Sequence, residues 1–217
     1  MPTMIKSMME GTVVSIQIFF LTLIFAIPLG LILTSGRMSK NIVLRTITKW
    51  FLLIIRGTPL MLQLICVYFI PGMLSAAWFG KSVSLNRFTA AVVALAINYA
   101  AYFAEIYRGG IEGIPLGQYE ASKVLGYTKA QTFFHIIIPQ VIKRILPAMA
   151  NEVITLVKDT ALVQIIGVIE LMYVAKTQSS ALFSTVPLFV AGIFYFVMNG
   201  IVSSCFNYIE KKLAYYK

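Results

Sequence analysis

The sequence predicts an all-α, polytopic membrane protein with about five transmembrane helices. Of its 217 residues, 59% are hydrophobic and only 12% are charged, which leaves too little polar side-chain surface for a soluble domain of this size. Four stretches carry no charged residue, namely residues 11–36, 57–80, 88–104 and 177–209. Because a membrane-spanning helix needs ~20 predominantly apolar residues, each stretch predicts a span, and a fifth is predicted between the last two.

The basic residues indicate how these spans are oriented. The formal net charge is +10, and most lysines and arginines follow the first and third spans or end the chain. Since cytoplasmic loops are enriched in Lys and Arg, we predict an external N-terminus, a cytoplasmic C-terminus and a basic segment, residues 38–59, along the inner membrane surface. This charge indicates topology and contact with anionic lipid rather than a nucleic-acid partner. The predicted spans are residues 12–35, 60–77, 88–107, 141–175 and 185–208, the fourth being broken near Asp159.

A polar segment, residues 112–139, separates the third and fourth spans, and we call it the mid-chain hairpin. The pattern predicts a short helix, a turn at Gly126 where a helix end requires φ > 0, and a second helix. That second helix begins with a Thr128–Gln131 capping box and ends at Pro139. Helices this short are marginal alone, so a partner protein would cover their apolar side chains; an ordinary cytoplasmic loop folded onto its own spans is the alternative. The apolar side chains are Leu125, Tyr127, Phe133 and Phe134.

The mid-chain hairpin resembles the EAA loop of the membrane subunits of bacterial ABC importers, in which Glu-Ala-Ala is followed by a Gly and then by Ile-x-Leu-Pro. This chain has Glu120-Ala121-Ser122, then Gly126, then Ile136-Ile137-Ile138-Pro139, with Ser for the second Ala and Ile for Leu. Three further stretches are similar to the polar amino acid permease subfamily, so that the resemblance covers the chain from Gly11 to the last span. These stretches are AEIYRGGIEGIPLGQYEA, IIRGTPLMLQL and NEVITLVKDTALV.

The resemblance implies a single permease domain over residues 1–217, in a bacterial cytoplasmic (inner) membrane, that imports polar amino acids by alternating access. It also implies that Glu120, Ala121, Ser122 and Gly126 couple the chain to a separate ATP-binding cassette subunit. The chain has no GxxxxGK[ST] phosphate loop. ATP and Mg are therefore expected on that ATPase, and no cofactor, metal or enzymatic activity is expected in this chain. A second permease subunit, identical or paralogous, and an extracytoplasmic solute-binding protein complete the expected assembly.

Ionisable side chains inside a span are costly and usually functional, and this directs attention to Glu152. It lies eight residues beyond Arg144, which is ~12 Å above the inner anchor at 1.5 Å per helical residue. By the same reasoning Asn98, ten residues before Arg108, lies ~15 Å up the descending third span. We predict a substrate site at this depth, formed by these two residues. Further candidates are Tyr102, Thr155 and Asp159.

A carboxylate at mid-depth suits an ammonium or guanidinium group, so a cationic amino acid such as arginine, lysine or histidine is favoured. The alternatives for Glu152 are that it pairs with Lys158 or Arg144, or that it hydrogen-bonds a neighbouring span. The alternative for Asn98 is an interhelical contact.

Two other functional classes remain as alternatives. A secondary transporter or channel driven by ion gradients usually shows repeated halves, and the chain has no internal repeat. An intramembrane enzyme is disfavoured by a single His and by the lack of HExxH and GxSxG motifs.

Overall fold

The computed structural model describes residues 2–213, and these residues form helices without any β-strand. The helices are α1 (Pro2–Arg37), α2 (Ile42–Gly57), α3 (Leu60–Phe79), α4 (Arg87–Glu112), α5 (Leu116–Val124), α6 (Lys129–Gln131), α7 (Ile138–Asp159), α8 (Leu171–Leu182) and α9 (Val186–Leu213). A π-helical segment, Thr132–Ile137, joins α6 to α7, and a 3-10 segment, Thr160–Ile166, follows α7. Five helical stretches among these residues are long and apolar enough to cross a membrane, which confirms the predicted fold class.

Helix α4 is the centre of the molecule. Of its most apolar stretch, 67% is buried, against 11% for α3 and for α9. The reason is in its sequence, because α4 is rich in alanine and small side chains let neighbouring helices approach closely. Its buried residues form the main core together with side chains of α1, α3 and α7, such as Ile18, Leu64 and Leu156.

Helix α1 packs along α4 through small residues and one interhelical hydrogen bond. A Cβ added at Gly30 would lie 3.0 Å from Phe103 Cβ, so this position requires glycine for the close approach. Thr34 Oγ1 donates to the backbone oxygens of Gly30 (2.8 Å) and Ala104 (3.1 Å). The helix starts at Pro2, ten residues before the predicted span 12–35. The additional turns carry Lys6 and Glu10, both of which are exposed.

The second helix of the mid-chain hairpin does not end at Pro139, contrary to the prediction. One continuous helical stretch runs from Lys129 to Ile166, with Pro139 in the first turn of α7. A proline inside a helix lacks an N–H and clashes with the carbonyl four residues earlier. The preceding turns, Thr132–Ile137, are wound as a π-helix, and this wider spacing accommodates the ring without ending the helix.

The α-helical hydrogen-bond pattern ends where a break was predicted. Helix α7 ends at Asp159 and the 3-10 segment follows. Gly167 then takes a left-handed φ of 76°, which glycine adopts at little cost. Helix α8 starts at Leu171, with Glu170 as its N-cap, and α9 packs against both α7 and α8.

Candidate functional site

The mid-chain hairpin has the turn and the capping box that the sequence predicts. The first helix, α5, ends with Leu125 N–H bonded to Ala121 O (3.1 Å) and Tyr127 N–H bonded to Ser122 O (3.0 Å). Gly126 lies between them with φ 78°. Thr128 then caps α6 and exchanges hydrogen bonds with Gln131 as a capping box. Both details are confirmed because both depend on interactions between near neighbours in the chain.

The base of the hairpin is packed, whereas its outer surface is apolar and exposed. Ile114, Ile137 and Val141 form a small buried cluster, and Gln140 Nε2 donates to Gln118 Oε1 at 3.1 Å, which holds α5 against the start of α7. Glu120 and Ala121 are exposed, and Ser122 is buried with its hydroxyl bonded to Gln118 O (2.6 Å). The large apolar side chains left uncovered are Leu116, Val124, Leu125 and Phe134, each at least 65% exposed.

Three of the five predicted substrate residues, Tyr102, Glu152 and Asp159, lie around Tyr99 between α4 and α7. The hydroxyl of Tyr99, a buried residue of α4, donates to Asp159 Oδ2 at 2.7 Å. Tyr99 also lies within electrostatic range of Glu152 and Tyr102. We call Tyr99, Tyr102, Glu152 and Asp159 the polar cluster. Tyr99 was not predicted; its place one residue after Asn98 in an apolar span was the only available signal.

Glu152 has no hydrogen bond or ion pair within the part of the chain that the structure describes, and it is half-buried. Neither of the two pairings considered from the sequence forms there. Arg144 instead donates from Nη1 to Gly113 O at 2.6 Å, and Lys158 lies next to Asp159, on which its charge acts. The carboxylate of Glu152 is therefore available to a further group.

The other two predicted substrate residues, Asn98 and Thr155, form hydrogen bonds within the protein and are not part of the polar cluster. Asn98 is buried, and its Nδ2 donates to Gln63 Oε1 at 2.9 Å, which is the interhelical contact considered from the sequence. Gln63 Nε2 in turn donates to Ile55 O (2.7 Å) and Thr58 Oγ1 (2.9 Å). Thr155 Oγ1 donates to Asn151 O of its own helix at 2.9 Å.

A second charged cluster, not predicted from the sequence, lies one turn beyond Tyr102. Glu105 forms ion pairs with Arg108 (2.6 Å), Arg37 (3.8 Å) and Arg56 (3.8 Å), and it thereby links α1, α2 and α4. Arg56 also lies over the Tyr102 ring, with its Cζ 5.3 Å from the ring centroid. Glu105 is the first acid after Glu10, and that isolation among basic residues was a usable signal.

The most deeply buried carboxylate, Glu170, was also missed. It has no exposed surface and accepts four hydrogen bonds, from the Met172 and Tyr173 backbone N–H groups (2.8 and 2.7 Å), Tyr195 Oη (3.0 Å) and Ser15 Oγ (3.3 Å). These four donors belong to α1, α8 and α9, so this carboxylate joins the three helices. Within residues 2–213, no three His, Cys, Asp or Glu side chains are grouped to hold a metal ion.

Sequence comparison identifies a protein family and several known proteins to which this chain is similar. Residues 26–215 match the protein family described as binding-protein-dependent transport system inner membrane component. A putative glutamine transport system permease protein of Rickettsia typhi is 34% identical over 205 residues, or 94% of this chain and 91% of the relative. An arginine transport system permease protein of Bacillus subtilis is 36% identical over 211 residues, or 96% of this chain and 93% of the relative.

Solved structures share the fold. A crystal structure of an amino acid ABC transporter with histidines superimposes with a TM-score of 0.84 at 34% identity, covering 95% of this chain and 94% of the other. The inward-facing MetNI methionine ABC transporter superimposes with a TM-score of 0.71, covering 99% of this chain and 97% of the other. At 19% identity the second likeness concerns the fold alone.

Proposed function

The chain belongs to the family of binding-protein-dependent transport system inner membrane components, and we propose that it carries a cationic amino acid across the membrane by alternating access. It is the permease subunit of an amino acid ABC importer and a multi-pass inner-membrane protein, and ATP is hydrolysed by a separate subunit. Because the chain belongs to this family, we set aside the two alternatives, an ion-gradient-driven transporter and an intramembrane enzyme.

We propose that the mid-chain hairpin docks on the ATP-binding cassette subunit, which binds ATP and Mg. The exposed apolar side chains of Val124, Leu125 and Phe134 support this, because such a patch at the tip of a short hairpin marks a protein contact. Glu120 and Ala121, which are exposed, would form the coupling contact, and Gly126 would supply the turn. Ser122 was predicted to take part as well, but it is buried and would act only by holding the fold of α5. A second permease subunit, identical or paralogous, and an extracytoplasmic binding protein complete the proposed assembly.

The continuous helix between Lys129 and Ile166 offers a mechanical route from this contact to the substrate. It starts within the mid-chain hairpin and carries Glu152 and Asp159. A displacement of the hairpin by the ATPase would therefore move both carboxylates without passing through a flexible linker. A rigid element that has two positions is what alternating access requires.

The unpaired carboxylate of Glu152 is the observation that favours a cationic substrate. With Asp159 close by in the polar cluster, it presents negative charge between α4 and α7 and would accept charge-assisted hydrogen bonds from an ammonium or guanidinium. The names of the relatives do not identify one substrate, since one relative is named for glutamine and another for arginine. The preference therefore depends on this chain's own residues.

Equilibrium binding tests the proposed preference. The purified complex of this chain with its ATPase, without binding protein, would be titrated with radiolabelled arginine and glutamine. We expect Glu152→Gln to weaken arginine binding roughly tenfold or more, which is the usual effect of losing a charged hydrogen-bond partner, and to leave glutamine binding within about twofold by the same reasoning.

The control is Glu10→Gln, which makes the same chemical change at an exposed position near the start of α1. It should leave both affinities unchanged. Equal losses for the two amino acids in Glu152→Gln, or no loss for either, would contradict the proposed cationic specificity.

A further inference from the structure

Arg56 occupies a place that a cationic substrate would use. It lies at the C-terminal end of α2, and its guanidinium stacks over Tyr102 at 5.3 Å. A cation over an aromatic face is attracted by the ring quadrupole. Tyr102 belongs to the polar cluster, so the face on which a guanidinium or ammonium would stack is already covered by one from the protein itself.

The guanidinium is held loosely, although the backbone that carries it is fixed. Its ion pair to Glu105 is 3.8 Å long, and the Arg56 side chain is 42% exposed. In contrast, the corner between α2 and α3 is held by Gln63, whose amide bonds to Ile55 O and Thr58 on one side and to Asn98 on the other. The side chain can therefore move while its Cα stays in place.

The charge of Arg56 also reaches the unpaired carboxylate, because it acts electrostatically on Glu152. Glu105, in contrast, has two further cations in contact, Arg37 and Arg108. Arg56 is thus shared between Glu105, which already has two other cationic partners, and Glu152, which has no ion pair in the described part of the chain.

We propose that Arg56 is a resident cation of the substrate site, which takes the place of the substrate's cationic side chain on Tyr102 and near Glu152 and moves towards Glu105 when the substrate binds. This inference rests on the proposed function, since it requires the polar cluster to bind a cation. The competition sets specificity: a cationic amino acid must displace Arg56, whereas a neutral one leaves it in place and meets a partly neutralised carboxylate.

The test measures the dissociation constants of arginine and glutamine with the same permease–ATPase complex. Arg56→Gln removes the competing charge, so arginine should bind roughly three- to fivefold more tightly, which is the size expected for a partly exposed charge pair. Glutamine affinity should not increase. Arg56→Lys keeps the competing charge but stacks less well on an aromatic ring than Arg does, so arginine affinity should lie between that of the wild type and that of Arg56→Gln. Arg56→Met, which keeps the aliphatic length, serves if the Gln variant fails to assemble.

Arg37→Gln is the matched control, because Arg37 also pairs with Glu105 at 3.8 Å but does not stack on Tyr102. If it tightens arginine binding as much as Arg56→Gln does, the effect comes from the Glu105 ion pairs and the proposal is wrong. Unchanged or weaker arginine binding in Arg56→Gln also overturns it.

The Glu152→Gln background separates this proposal from the proposed function. Arg56→Gln should tighten arginine binding less there than in the wild-type background, because only the Tyr102 face is left for the two cations to compete for. If Glu152→Gln weakens arginine binding selectively but Arg56→Gln changes nothing in the wild-type background, only the resident-cation proposal fails. If Glu152→Gln is not selective, the cationic specificity itself fails.

Discussion

Gly126 shows how a single backbone angle determines the shape of the mid-chain hairpin. Its φ of 78° places it in the left-handed region, where an L-residue pays roughly 1–2 kcal/mol. A methyl group added there meets no atom within 4 Å. Any effect of a substitution therefore comes from the backbone conformation and not from a steric clash.

We predict that Gly126→Ala weakens coupling by disfavouring this turn. The measurement is substrate-stimulated ATP hydrolysis by the assembled transporter, and its ratio to basal hydrolysis should fall several-fold, in keeping with a cost of about 1 kcal/mol. Gly109→Ala is the control, since an added methyl there also meets nothing within 4 Å and its φ is not positive. Equal ratios in the two variants would refute the requirement for a left-handed residue.

At the scale of elements, one carboxylate joins three helices. Glu170 caps α8 through two backbone N–H groups and binds Ser15 of α1 and Tyr195 of α9. A carboxylate at a helix N-terminus is also favoured by the helix dipole. The packing around it is tight, because a Cβ at Gly11 would lie 3.0 Å from the backbone of Glu170 and Leu171.

Removing this carboxylate should destabilise the whole α1–α8–α9 region. Glu170→Ala takes away a helix cap and leaves the buried Ser15 hydroxyl and the half-buried Tyr195 hydroxyl without this acceptor, which together cost about 2 to 4 kcal/mol. Tyr195→Phe removes one of the four donors and should cost about 1 kcal/mol. Thermal unfolding of the purified protein in detergent measures both. A midpoint for Glu170→Ala at or above that of Tyr195→Phe would contradict this account.

At the scale of the whole molecule, exposed apolar surface and charge define how the chain lies in the membrane. Helices α1, α3 and α9 expose many large apolar side chains, including Phe25, Met73 and Phe196, so lipid or a second permease subunit must cover them. Because cytoplasmic loops are enriched in Lys and Arg, we propose that the mid-chain hairpin and the basic residues of α2 lie on the cytoplasmic side.

Labelling of single cysteines tests this orientation. With Cys66 and Cys205, the two cysteines of the chain, changed to Ala, we expect a membrane-impermeant maleimide to label Lys81→Cys in intact cells. Lys129→Cys should react only in inside-out vesicles, because it lies in the mid-chain hairpin. Both positions are exposed, so each serves as the reactivity control for the other, and the reverse pattern would invert the proposed topology.

The sequence by itself determined the features that depend on local chemistry. Four charge-free stretches and the segment between the last two of them predicted five spans. The glycine and capping residues predicted the turn at Gly126 and the start of the next helix. Pro139 was misjudged because a π-helical segment relieves the clash that a proline causes in a regular helix. Whether a proline ends a helix therefore depends on the conformation of the preceding turns as well as on the proline itself.

Which polar groups are paired was decided by the tertiary structure alone. Asn98 and Gln63 are 35 residues apart, and Ser15 and Glu170 are 155 residues apart. No residue spacing in the sequence predicts either hydrogen bond. The same holds for the unpaired state of Glu152 and for Arg56 over Tyr102. The physical reason is that a hydrogen bond or ion pair acts over a few ångströms. Only the packing of α1, α2, α3 and α7 around α4, and of α8 against α1 and α9, brings such distant residues within that distance.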